Sequence, residues 1–62
     1  MILMYLVKVS TLKKGQYFYE PDSQRHFCRL SYSRDNGAYY AIDVLSERKV
    51  LFDPYELVYI PL

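Results

Sequence analysis

No stretch of ten residues in this chain keeps apolar positions at the three-and-four spacing of a helix, and β-branched and aromatic residues dominate nearly everywhere. That combination is typical of strands. The pattern predicts six strands, at residues 2–9, 16–20, 26–33, 38–45, 49–52 and 57–60. The breaks between them have lengths suited to antiparallel hairpins rather than to helical crossovers, so we expect an antiparallel meander.

The central hairpin turns at Asn36-Gly37, a signal that allows a two-residue loop or a three-residue loop with Gly in the left-handed conformation. A two-residue loop would set Leu30 opposite Asp43, which mixes apolar and charged neighbours on one face. A loop of residues 35–37, with Gly37 forming a bulge, separates the two kinds of side chain. We therefore predict that loop. Its pairs are Cys28–Val44, Leu30–Ile42 and Tyr32–Tyr40 inside, and Arg29–Asp43 and Ser31–Ala41 outside.

The neighbouring strands follow from the same choice of inner face. With Ile42 and Val44 inside, Val50 is expected to pair with Val44 and Phe52 with Ile42, which places Phe52 in the core. Phe18 takes the inward position on its own strand.

The apolar runs at the two ends of the chain, residues 2–7 and 57–60, are compatible as a strand pair, and their pairing would close the sheet and protect its edges. We therefore expect an all-β fold with a single domain over residues 1–62. Its architecture would be a small antiparallel five- or six-stranded SH3-like barrel or a strongly bent sheet, in preference to an OB-fold.

Two segments resemble a known family. Residues 9–18, VSTLKKGQYF, are similar to the Val-x-x-Leu-Lys-x-Gly-[Asp/Gln]-x-Phe opening of many small SH3-like barrels, including short proteins encoded by bacteriophages and bacteria. Residues 52–61, FDPYELVYIP, resemble the closing segment of such proteins. The resemblance implies a fold and a phage-like setting but no site. The chain lacks the tryptophan and acidic loop with which peptide-binding SH3 domains hold proline-rich ligands.

Composition argues against an enzyme. The chain has eight tyrosines and three phenylalanines but one histidine, one cysteine and two glycines, so it has no phosphate-binding loop. His26 and Cys28 share a strand face, with Glu20 and Asp22 nearby, yet a zinc site normally takes four ligands. Cys28 is expected to be buried, which would make its thiol inert. We predict no catalytic residue, no metal, no cofactor and no small-molecule substrate.

A chain of 62 residues buries only about 60% of its unfolded surface, and one cysteine excludes an internal disulfide. A binding partner therefore becomes plausible, and tyrosine and arginine are common at interface hot spots. The predicted protein-binding residues face outward. They are Tyr17, Tyr19, Phe27, Arg29, Tyr39 and Leu45.

Single-stranded nucleic acid is the alternative partner, because exposed rings stack on bases while cations contact phosphates. Lys13, Lys14 and Arg34 would supply those cations. The formal charge of +1 creates no overall field for polyanions, so such binding would depend on a local patch.

The apolar opening segment reaches Lys8 after seven residues and has no basic region before it, which argues against a targeting signal or a membrane span. We expect a cytoplasmic protein whose first strand has apolar residues on both faces. One of those faces would stay exposed or pack against a second copy of the chain.

Overall fold

The computed structural model describes residues 3–61, with the side chains of Arg29 and Leu30 left out. It contains six strands: β1 (Met4–Lys8), β2 (Tyr17–Glu20), β3 (Arg25–Ser33), β4 (Ala38–Asp43), β5 (Lys49–Phe52) and β6 (Leu57–Pro61). A 3-10 turn at Val9–Thr11 follows β1. All six predicted strands are confirmed, with ends that differ from the prediction by at most two residues.

The strands form one antiparallel sheet in the order β1-β6-β2-β3-β4-β5. Strands β2 to β5 make the predicted meander, but β6 returns to lie between β1 and β2. The terminal strands pair as predicted, with Tyr5 opposite Ile60 and Leu6 opposite Tyr59. Within residues 3–61 this pairing does not close the sheet, because β1 and β5 remain its two edges.

The sheet is strongly bent around three phenylalanines. Phe18 on β2 and Phe52 on β5 are three strands apart, about 14 Å in a flat sheet, yet their ring centroids are 5.3 Å apart. Phe27 on β3 contacts both rings, with centroids at 5.7 and 4.9 Å. The all-β, strongly bent antiparallel sheet is thus confirmed, and Phe18 and Phe52 lie in the core as predicted.

The remaining buried apolar side chains come from the 3-10 turn, the loop after it and the inner faces of β4 and β6. They are Val9, Leu12, Ala41, Val58 and Ile60. Backbone N–H groups of Val9 and Ser10 donate to the carbonyls of Glu56 and Pro54, which fastens the turn after β1 to the segment before β6.

The predicted register of the central hairpin is wrong. Ser33 pairs with Ala38 across a four-residue loop, residues 34–37, in which Gly37 has a φ of 61° and donates its N–H to the Ser33 carbonyl at 2.9 Å. The positive φ of Gly37 agrees with the prediction, but the bulge lies on β3 between Arg29 and Ser31. Beyond it, Phe27 pairs with Asp43 and Cys28 with Ile42.

This register reverses the predicted faces of β4 and of the part of β3 that precedes the bulge. Phe27 and Ala41 are buried, whereas several residues predicted for the core are half-buried or exposed. Those residues are Cys28, Tyr32, Tyr40, Ile42 and Val44. The physical reason is size, because Phe27 offers far more apolar surface than Cys28 does. Leu30 was also predicted for the core, and its side chain lies outside the described part of the chain.

The predicted register between β4 and β5 is wrong as well. Phe52 pairs with Tyr39 and Val50 with Ala41, rather than with Ile42 and Val44. Phe52 still faces the core because two errors cancel. The observed register between β4 and β5 differs from the predicted one by an odd number of residues, which alone would turn Phe52 outward. The inner face of β4 is also the opposite of the predicted one, which turns Phe52 back to the core.

Candidate functional site

The face of the sheet turned away from the phenylalanine core carries a row of apolar and aromatic side chains. Strand registers align Leu6, Tyr59, Tyr19 and His26 across four neighbouring strands. The rings of Tyr19 and His26 are in contact, with centroids 4.9 Å apart. The return of β6 beside β2 creates this row, since it brings Tyr59 from the end of the chain against Tyr19.

A shallow cavity of about 200 Å³ lies along this row. We call it the outer groove, and its lining residues are Met4, Tyr17, Phe18, Tyr19, His26, Tyr59 and Pro61. These lining residues include no lysine, arginine, aspartate or glutamate. Tyr17 stands at the rim with 61% of its surface exposed.

The structure brings only part of the predicted site together. Tyr17 and Tyr19 both line the outer groove. Phe27, predicted to face outward, is buried in the core, and Tyr39 packs against the core on the other side of the sheet, so both positions are corrected. Leu45 is 87% exposed, as predicted, but it lies in the turn between β4 and β5.

The predicted cations do not form one patch with the rings. Lys13 and Lys14 lie in the loop before β2, whereas Arg34 lies in the loop between β3 and β4. No lysine or arginine is among the described residues that line the outer groove. The side chain of Arg29 lies outside the described part of the chain.

Sequence reasoning missed five members of the groove: Met4, Phe18, His26, Tyr59 and Pro61. The available signal was the pairing of the two ends of the chain, which was predicted correctly. The insertion of β6 between β1 and β2 carries no local signal, because it depends on the packing of the whole sheet.

Asp43 was predicted to face solvent opposite Arg29, and it is buried instead, with 4% of its surface exposed. It accepts hydrogen bonds from the backbone N–H groups of Leu45 and Ser46 at 2.9 and 3.1 Å, and pairs with Arg25 at 2.8 Å. The bond from Ser46, followed by those from Leu45 and Arg25, lowers the pKa of Asp43 to about 2 against the opposing effect of burial. The charge of Asp43 therefore stabilises the turn after β4.

Three carboxylates meet at the carboxyl end of β2, where Glu20 is the last residue of the strand. Oxygen atoms of Glu20, Asp22 and Glu56 lie within 4.8 Å of one another. Burial, then a hydrogen bond that protonated Glu56 donates to Glu20, then the negative charges of Glu20, Asp22 and Asp53, raise the pKa of Glu56 to about 8. Oxygen ligands of this kind could hold a calcium ion. A retained proton on Glu56 relieves the same repulsion without an ion.

His26 and Cys28 share one face of β3, as predicted from their spacing, but it is the outer face rather than the core face predicted for Cys28. Cys28 is half-buried rather than buried, and its Sγ lies 3.4 Å from the carbonyl oxygen of Gly15. Neither residue belongs to the carboxylate group of Glu20, Asp22 and Glu56.

Comparison with protein-family models, curated proteins and solved structures found no match to this chain. Over residues 3–61 there is no helix with the length and apolar character needed to cross a membrane. The resemblance of residues 9–18 and 52–61 to SH3-like proteins stays a prediction.

Proposed function

We propose that this protein is a non-catalytic interaction module that binds a protein partner through the outer groove and modulates that partner. The observation that carries the proposal is the groove itself, an apolar concave surface with an exposed tyrosine at its rim. Tyrosine supplies a large contact area with a polar hydroxyl, which suits a surface that is wet when free and dry when bound.

The surroundings of the groove support a macromolecular partner. Leu6 on β1, Leu57 on β6 and Val44 beyond His26 are large apolar residues, each with nearly half of its surface exposed. Scattered apolar residues are normal on a surface, but a contiguous group is typical of an interaction site. A partner that covers this group would bury more apolar surface than the groove alone offers.

The charge of the groove favours protein over nucleic acid. Nucleic-acid binders place cations beside the rings that stack on bases, and the described lining has no lysine or arginine. The resemblance to phage-type SH3-like proteins favours a host protein in the cytoplasm as the partner.

Affinity capture from cells that express the protein tests the proposal, with the bound proteins quantified by mass spectrometry. Tyr17→Ser should deplete the captured partner at least about tenfold if the ring is a hot spot worth 1.4 kcal/mol or more. Tyr32→Ser is the matched control, because Tyr32 is also exposed but packs on Tyr39 on the inner side of the sheet. Equal depletion by both variants would contradict the proposal.

Binding to single-stranded oligonucleotides provides the opposing test. We expect no measurable affinity at low salt. Tight binding that falls steeply as salt rises, and that Tyr17→Ser abolishes, would assign the groove to nucleic acid instead.

A further inference from the structure

Strand β1 forms an edge of the sheet, and its edge is apolar. Leu3, Met4, Tyr5 and Leu6 are all exposed, with between 41% and 59% of each surface open to solvent. Segment 3–7 contains no charged residue, no proline and no bulge. Charged residues, prolines and bulges are the features with which natural edge strands prevent pairing with another strand.

The hydrogen-bonding groups of this edge can be assigned from the ladder with β6. Val9 donates its N–H to the Glu56 carbonyl, in the same register that pairs Val7 with Val58 and Tyr5 with Ile60. Antiparallel residues alternate between facing their partner and facing away. The N–H and C=O groups of Met4 and Leu6 therefore point to the open edge. The pairing of Met4 with Pro61, which has no N–H, agrees with that assignment.

The opposite edge of the sheet is protected. Strand β5 has four residues, begins with a charged residue, Lys49, and is followed directly by Asp53-Pro54. Charge, shortness and proline all oppose strand addition. Over residues 3–61, only the β1 edge of the sheet thus lacks the features that oppose strand addition.

We infer that two copies of this protein pair through β1 in an antiparallel, two-fold symmetric arrangement, which joins their sheets into one. The arrangement goes beyond the proposed partner binding, because it uses the strand edge rather than the outer groove. In a symmetric pair the residue on the axis lies opposite its own copy, so a charged residue there would meet a like charge. Segment 3–7 avoids this because it has no charge.

The register follows from the same groups. With Tyr5 on the two-fold axis, Met4 of one copy faces Leu6 of the other, and each such pair exchanges two hydrogen bonds between open groups. A register centred on Leu6 would place Lys8 opposite Met4. The carbonyl of Lys8 already accepts a hydrogen bond from the Thr11 hydroxyl at 2.7 Å. In that register the same carbonyl would also have to accept a hydrogen bond from the partner strand.

Sedimentation from micromolar to millimolar concentration tests the dimer. The wild-type mass should rise from that of a 7.4 kDa monomer to twice that value. Tyr5→Lys and Tyr5→Glu should each weaken the dimer about tenfold or more by placing like charges at the axis. An equimolar mixture of the two should restore it. Tyr17→Ser should leave the dimer intact.

Disulfide trapping tests the register independently of those charged variants. The two copies of residue 5 form a pair without mutual hydrogen bonds, where Cα atoms lie about 4.5 Å apart, within disulfide range. Tyr5→Cys in a Cys28→Ser background should therefore oxidise to a covalent dimer that keeps its β-sheet circular dichroism, whereas Tyr32→Cys should not. A wild-type monomer at every concentration, or a dimer that Tyr5→Lys leaves unchanged, would overturn the inference.

Discussion

At the scale of single residues, two carboxylates in this small protein have opposite electrostatic surroundings. Asp43 is surrounded by donors, two backbone N–H groups and the guanidinium of Arg25. Glu56 is half-buried among other acids, Glu20 and Asp22. The first arrangement favours the ionised form and the second favours the neutral form. Each makes stability depend on pH, in a different range.

Asp43 should stabilise the fold at neutral pH and lose that effect in acid. The pKa of Asp43 is about 2 in the folded protein against an ordinary value of 3.8. The unfolded chain therefore takes up the proton first, and the free energy of unfolding falls as pH drops through that interval. Asp43→Asn should be less stable at neutral pH and show a weaker acid dependence in urea unfolding. The exposed-loop variant Asp35→Asn should behave like wild type, and a wild-type pH profile for Asp43→Asn would refute the assignment.

Glu56 should destabilise the fold as pH rises. The pKa of Glu56 is raised from 4.5 to about 8, so between those values the folded protein keeps a proton that the unfolded chain has lost. The free energy of unfolding should therefore fall as pH increases across that range.

Glu56→Gln removes the ionisation and should be more stable than wild type above pH 8, as measured by thermal unfolding. Glu47→Gln, in an exposed turn, serves as the control. The same experiment with added calcium distinguishes proton from ion: stabilisation of wild type at high pH by calcium, absent in Glu56→Gln, would mean that the three carboxylates hold a cation.

At the scale of strands, adjacent residues on β3 have opposite roles. Phe27 is buried between two rings, whereas Cys28 lies half-buried on the outer face. Phe27→Ala should cost about 3–5 kcal/mol of unfolding free energy, and Cys28→Ala should stay within about 0.5 kcal/mol of wild type. Chemical denaturation measures both, and Phe27→Leu keeps the comparison possible if the alanine variant does not fold. The reverse order of effects would restore the register that the hairpin pattern predicts.

The strands themselves could be predicted from sequence because runs of β-branched and aromatic residues carry a local signal. The pairing of the chain ends and the core position of Phe18 could be predicted for the same reason, whereas the core position of Phe52 agrees with the prediction only because two register errors cancel. The register of the central hairpin could not, because alternation marks Asp43 as an outward residue. Its burial depends on donors from the following turn and on Arg25, eighteen residues earlier.

At the scale of the whole molecule, one bent sheet separates a phenylalanine core from an outer aromatic surface. Three rings account for the bend, because Phe18, Phe27 and Phe52 meet although they come from different strands. The tyrosines divide accordingly: Tyr17, Tyr19 and Tyr59 line the outer groove, while Tyr39 packs against the core. The groove could not be predicted as a unit, since its members come from β1, β2, β3 and β6.

The central claim is that the outer groove contacts a protein partner, and site-specific photo-crosslinking in cells tests it most directly. A photoreactive amino acid at position 17 should yield one discrete crosslinked protein, whereas the same group at position 32, exposed on the inner side, should not. Crosslinking of one protein from both positions, or crosslinking from position 17 to nucleic acid alone, would contradict the claim.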